Sequence, residues 1–216
     1  MYFDYSKEKK HHKLYYPGKM LAYFLSKLVY RRVDIKGREN IPEKGALIIA
    51  SNHIAFSDPA VIAANFPRAI HFMAKSELFE NPFIASFMRN MNAFPVKRNS
   101  SDRNALRYAK DIIAKGWVMG IFPEGRRNQM SPPTKAKAGI AYLAKVTGAD
   151  VLPVCIYRNA DDDGAYHSLS LVFGKVINNG ELKLSEKGND GLNEASEYIM
   201  KKIIELWEKE NDCYNS

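Results

Sequence analysis

The sequence predicts a single-domain α/β sandwich with a largely parallel sheet, preceded by a basic amphipathic helical segment at the N-terminus. Short apolar runs alternate with stretches of helical periodicity, the pattern of strands joined by crossover helices. The 216 residues are 46% hydrophobic and 12% aromatic, enough for one substantial core. The net charge of +8 is confined almost entirely to the beginning of the chain. Residues 1–38 hold ten basic side chains against Asp4, Glu8 and Asp34, whereas the rest of the chain is nearly balanced.

In that first segment, lysines alternate with Leu14, Tyr15, Tyr16, Tyr23 and Leu25, and Met20, Phe24 and Leu28 fall on one helical face at i, i+4 spacing. Residues 1–32 therefore read as a membrane-interface element. Its cations would be drawn to anionic headgroups at about 1 kcal/mol each, with its rings at headgroup depth. A helix docked on the domain's own core, with a solvated basic edge, is the alternative. Interleaved Tyr and Lys would also suit single-stranded nucleic acid.

Residues 33–216 form the expected domain. Strands are expected at Val33–Lys36, Ala46–Ala50, Ile70–Ala74, Phe94–Val96, Trp117–Phe122, Val151–Ile156 and Leu169–Phe173. Asp58 and Pro59 read as an N-cap and first helical residue, opening a short helix to Asn65 that Pro67 closes. Asp102–Lys115 is a second helix stopped by Gly116, Ala136–Val146 a third ending at Gly148, and Leu192–Trp207 the last. The apolar stretch Phe79–Met91, with Phe83, Ile84 and Phe87, reads as core, with the lining of an apolar tunnel as the alternative. Asn159–His167, with Asp161, Asp162 and Asp163, reads as a solvated loop.

Two cysteines, Cys155 in an apolar run and Cys213 in a polar tail, give no disulfide framework and no metal-ligand spacing, and point to a reducing compartment. No apolar run approaches the roughly 18 to 20 residues needed to cross a bilayer. The polar opening Met1–Lys13 does not resemble a secretory signal, so the protein is expected inside the cell.

In a largely parallel sheet the functional loops lie at the carboxyl ends of the strands. Directly after Ala46–Ala50 come His53 and Asp58, and a carboxylate at a helix start can hydrogen-bond an imidazole across a tight loop to make a general base. After Trp117–Phe122 come Pro123, Glu124, Gly125, Arg126 and Arg127, where Gly125 permits a sharp turn and a guanidinium matches phosphate oxygens. A surface turn with Glu124 paired to an arginine is the plainer reading. Lys97 and Arg98 add cations at a third strand end.

In this order the residues resemble the glycerolipid acyltransferase family, in particular its bacterial 1-acyl-sn-glycerol-3-phosphate (lysophosphatidate) acyltransferases. Asn52, His53 and Asp58 match an NHxxxxD motif, and Arg98 matches a basic second block. Phe122–Gly125 with Arg127 match FPEGxR, and Val151–Ile156 an apolar fourth block. The chain departs from the family pattern at Ala55, where serine is common, and at Arg126 and Asn128, where FPEGTRS is frequent.

The resemblance implies that His53 is the base and Asp58 orients it. Arg98 and Arg127 would grip the acceptor's phosphate, Glu124 and Gly125 shape its site, and Lys137 is a further substrate-binding candidate. It also implies acyl-CoA or acyl carrier protein as donor and lysophosphatidate as acceptor, giving phosphatidate for phospholipid biosynthesis. No metal or bound cofactor, and no nucleic-acid partner, is implied. The enzyme would sit peripherally on an anionic membrane, at the cytoplasmic face. Glycerol 3-phosphate or another lysophospholipid is the alternative acceptor, and a basic-arm protein binding membrane or RNA the non-enzymatic alternative.

Overall fold

The computed structural model describes residues 13–30, 32–97, 102–128, 132–160, 166–184 and 188–215. Seven strands, β1 (Arg32–Lys36), β2 (Leu47–Ser51), β3 (Ile70–Lys75), β4 (Ala93–Val96), β5 (Val118–Ile121), β6 (Asp150–Ala160) and β7 (Tyr166–Phe173), form one sheet in the order β1-β7-β6-β2-β5-β3-β4. All neighbours are parallel except β6 and β7. Each expected strand is present. β6 and β7 run beyond their apolar centres to Ala160 and back from Tyr166, so the two ends of the expected Asn159–His167 loop are strand, and residues 161–165 between them lie outside the described residues.

Six α-helices lie among the described residues: α1 (Tyr15–Val29), α2 (Asp58–Asn65), α3 (Pro82–Asn90), α4 (Arg103–Ala114), α5 (Gly139–Thr147) and α6 (Gly188–Asn215). Central strands are apolar without interruption because both of their faces are covered. Ile48 and Ala50 of β2 pack with Ile112, Ile113, Leu143 and Ile199 of α4, α5 and α6, whereas Leu47 and Ile49 face Val61, Ile62 and Phe66 on the other side. Asp102 caps α4 by accepting from the Ala105 amide at 3.1 Å, and Gly148, at φ +67°, closes α5.

α1 is docked on α2 and the sheet through a few contacts. Tyr15 is buried, and its hydroxyl accepts the Ile70 amide hydrogen at 2.9 Å. Burial pushes the Tyr15 phenol up to about 12, so that oxygen stays neutral at physiological pH. The opposite face leaves Met20, Leu21, Phe24 and Leu28 in solvent, Leu28 at 82% exposure. The helix is thus docked on the domain, and its Met20–Phe24–Leu28 face is uncovered.

α3 departs from the core expectation for Phe79–Met91. Phe79 and Ala85 are buried, but Phe83 is 85% exposed, and Ile84 and Phe87 also face outward. Pro82 starts the helix, and Asn81 caps it by accepting from the Phe83 and Ile84 amides, so the helical period carries these side chains away from the sheet.

Candidate active site

β2 and β5 are parallel neighbours, so the segments that follow them, one carrying His53 and the other Glu124, lie side by side at one edge of the sheet. They are bonded directly. The His53 amide donates to Glu124 Oε2 at 3.1 Å, and the Asn128 amide donates to the His53 carbonyl at 2.7 Å. The His53 ring stacks on Phe122, centroids 4.0 Å apart, and Phe122 is backed by Phe72.

Asp58 is fully buried. Its Oδ2 accepts from His53 Nδ1 at 2.8 Å and from the amides of Ile54 at 2.6 Å and Ala55 at 2.8 Å. Asp58 is therefore the first residue of α2 and not the expected N-cap, a position taken by Ser57, because its carboxylate turns back onto the preceding loop. Burial by itself would raise the Asp58 carboxyl. The His53 hydrogen bond, the Arg158 guanidinium and the Ala55 amide outweigh it and hold the group below the usual carboxylate range. An ionised Asp58 accepting from Nδ1 leaves His53 Nε2 as the basic nitrogen.

Arg158, on β6, was not singled out by sequence reasoning. Its Nη2 donates to Asp58 Oδ1, its Nε donates to the Tyr30 hydroxyl at 2.9 Å, and its side chain is 3% exposed. Nη1 is buried and has no hydrogen-bond partner among the described residues. The one available signal was register. Ser51 pairs with Val154, so a residue four further along β6 overhangs the loop that follows β2.

Asn52 also has a structural task. Its side chain donates to the Ile156 carbonyl and accepts the Ile156 amide hydrogen, both at 2.8 Å, and so extends the β2–β6 ladder to the foot of His53.

Glu124 is buried and pairs with no arginine among the described residues. Besides the His53 amide, it accepts from the Thr134 amide at 3.0 Å, the Thr134 hydroxyl at 2.9 Å and Asn128 Nδ2 at 3.3 Å. With both oxygens engaged by the protein, it ties three loop segments together.

Gly125 has φ +69°, and a Cβ there would come within 2.9 Å of the Lys137 side chain. The Lys137 amide donates to the Pro123 carbonyl at 2.9 Å, which fixes that lysine over the turn. Arg126, Arg127 and Lys137 are exposed around it and form no ion pair among the described residues. Arg98 lies outside the described residues. His53, Asp58, Glu124, Gly125 and Lys137 are thus brought together, with Arg127 on the same loop. The arrangement offers a buried, oriented base beside exposed cations suited to a phosphate.

The acyltransferase family model matches residues 32–157, more than half of the chain. The chain is 32% identical over 122 residues to the 1-acyl-sn-glycerol-3-phosphate acyltransferase of Bacillus subtilis, a match covering 56% of this chain and 60% of that protein. It is 35% identical over 129 residues to the enzyme of the same name from Borreliella burgdorferi, covering 59% of this chain and 52% of that one. The chain thus spans little more than half the length of these relatives. The crystal structure of the 1-acyl-sn-glycerophosphate (LPA) acyltransferase from Thermotoga maritima aligns with a TM-score of 0.70 at 23% identity, over 89% of this chain and 79% of that one, a likeness of fold.

Proposed function

The chain belongs to the acyltransferase family, and from that premise we propose that it transfers a fatty acyl group from a thioester, acyl-CoA or acyl carrier protein, to the sn-2 hydroxyl of 1-acyl-glycerol 3-phosphate, making phosphatidate. The observation that carries this reading is the His53–Asp58 pair, bonded at 2.8 Å and sharing one edge of the sheet with the Gly125–Arg127 turn.

His53 Nε2 takes the hydroxyl proton as the acceptor oxygen attacks the thioester carbonyl carbon. The new C–O bond forms, the C–S bond breaks, and the departing sulfur takes that proton from the imidazolium. A thioester is already activated, so the residues need supply only position and proton transfer. Asp58 fixes the imidazole tautomer and stabilises its charged form. Arg127, with Lys137 and Arg98, binds the acceptor's phosphate, and Glu124 holds the turn that presents Arg127.

Lysophosphatidate resides in a bilayer, so the protein works at an anionic membrane surface, peripherally and from the cytoplasmic side. No helix among the described residues is long and apolar enough to cross a membrane. The uncovered face of α1 supports a docking role for residues 1–32, with Met20, Phe24 and Leu28 entering the interface and the basic residues of that segment meeting headgroups. Residues 33–216 then form the catalytic unit.

The test is acyl transfer in mixed micelles from palmitoyl-CoA or palmitoyl carrier protein, with lysophosphatidate and glycerol 3-phosphate as rival acceptors. Wild type should form phosphatidate, and His53→Ala should lose about 10²- to 10⁴-fold in rate. Equal rates for the two proteins would overturn the assignment of the base, and transfer only to glycerol 3-phosphate would overturn that of the acceptor.

A further inference from the structure

At the end of α2 farthest from Asp58, about 12 Å along the helix at 1.5 Å per residue, lies a cavity of about 320 Å³ between α1, the turn after β1 and the close of α2. β1 runs antiparallel to β2 through the β7–β6 pairing, so this cavity opens at the sheet edge opposite the dyad. Lys19, Arg38, Ile41, Asn65, Phe66 and Pro67 line it.

Among the described residues the charges there have no carboxylate partner. Lys19 Nζ donates to the Phe66 carbonyl at the end of α2, which occupies one of its three donors. Arg38 donates to no described residue, and Glu39 and Glu43 of the same segment pair with neither cation. Burial and the neighbouring Arg38 both push the Lys19 ammonium below the ordinary lysine value. Nearby, Arg68 donates to the carbonyls of Pro42, Gly45 and Gly116 and to no carboxylate among the described residues, adding a third cation. The same wall holds an unmet acceptor. Asn65 is 4% exposed, its Nδ2 donates to the Val61 carbonyl at 2.9 Å, and its Oδ1 accepts from nothing among the described residues.

A group that answers both deficits carries an anion for the two cations and a donor for the amide oxygen. We propose that the Lys19–Arg38 cleft is a second anion site, separate from the reaction centre, that takes the phosphate of a phosphoglycerol group, with a glycerol hydroxyl donating to Asn65. The source is a phospholipid headgroup or a free glycerol phosphate. The lipid source rests on the reading of α1 as bilayer-facing, since Lys19 stands on that helix beside exposed Met20.

The full chain is titrated calorimetrically with monomeric dihexanoyl phosphatidylglycerol, glycerol 3-phosphate and inorganic phosphate, using wild type, the double variant Lys19→Gln/Arg38→Gln, and Arg127→Gln. The site predicts saturable binding in wild type and in Arg127→Gln, weakened about tenfold or more in the double variant, since charge-assisted hydrogen bonds carry the contact. Thermal melting checks that the double variant is folded.

Lipid bound about tenfold more tightly than glycerol 3-phosphate identifies the headgroup source, and equal affinity the free one. Phosphate binding that is absent, unchanged in the double variant, or lost only with Arg127→Gln overturns the site. The variant Phe24→Glu/Leu28→Glu separates the two readings. If it binds vesicles like wild type, the docking role of α1 fails while the soluble-ligand titration still reports on the cleft.

Discussion

Replacing Arg158 with methionine tests whether β6 takes part in the reaction centre. The guanidinium is 3% exposed, and its partner Asp58 is wholly buried. Removing it leaves Asp58 Oδ1 without a donor among the described residues, whereas Oδ2 keeps three, from His53, Ile54 and Ala55. Breaking a buried ion pair from one side costs about 3–5 kcal/mol, and the three surviving bonds put this case at the lower end, about 3 kcal/mol. In a chain of this size that corresponds to a fall in Tm of about 6–12 °C. Because Arg158 touches His53 only through Asp58, kcat should fall about tenfold or more with little change in KM. Arg158→Lys keeps the charge but cannot fork to both Asp58 and Tyr30, so it should recover only part of each loss. The assay is thermal unfolding by circular dichroism together with steady-state acyl transfer, completed by a cycle with Asp58→Asn. A coupling energy of about 2 kcal/mol is expected. If the two substitutions add to within about 0.5 kcal/mol, the pairing does not have the role argued here.

Glu124→Gln places an amide donor against backbone amides that need an acceptor, and should cost about 1–3 kcal/mol in denaturant unfolding with a larger proportional loss of activity. Since Asp58 is held below its ordinary value, its contribution to stability is complete above the unfolded value near 4 and is lost as pH falls through the lowered folded value. Unfolding free energy should therefore drop below about pH 4, and Asp58→Asn should start lower at pH 7 and decline less steeply; identical slopes would contradict this. Phe24→Glu/Leu28→Glu should leave Tm within about 2 °C, because both side chains are exposed, yet lower vesicle co-sedimentation several-fold.

The sheet was legible because buried strands are written as unbroken apolar runs, and all seven could be found from them. What periodicity missed is instructive. Phe83, Ile84 and Phe87 look like core by composition, yet a helix starting at Pro82 turns them outward, and hydrophobicity alone does not distinguish a side chain buried in the protein from one left for another surface. His53 and Asp58 were legible because five residues of sequence separate them. Arg158 was not, because its partners lie 100 and 128 residues away and only the β2–β6 register brings them into reach. The task of Asn52 was hidden for the same reason: its two bonds are to the backbone of Ile156.

The bond from Arg158 to the Tyr30 hydroxyl bears on how the chain can be divided. The family model begins at residue 32, and a protein trimmed to that boundary would keep each of the motif residues. It would also lose Tyr30, which stands immediately after α1 and holds the far side of the arginine that steadies Asp58. Tyr15 would go too, leaving the Ile70 amide without its acceptor. The leading helix and the residue after it thus help to hold the candidate site, and grafting a different segment onto residue 33 would transplant the signature residues without the support they lean on.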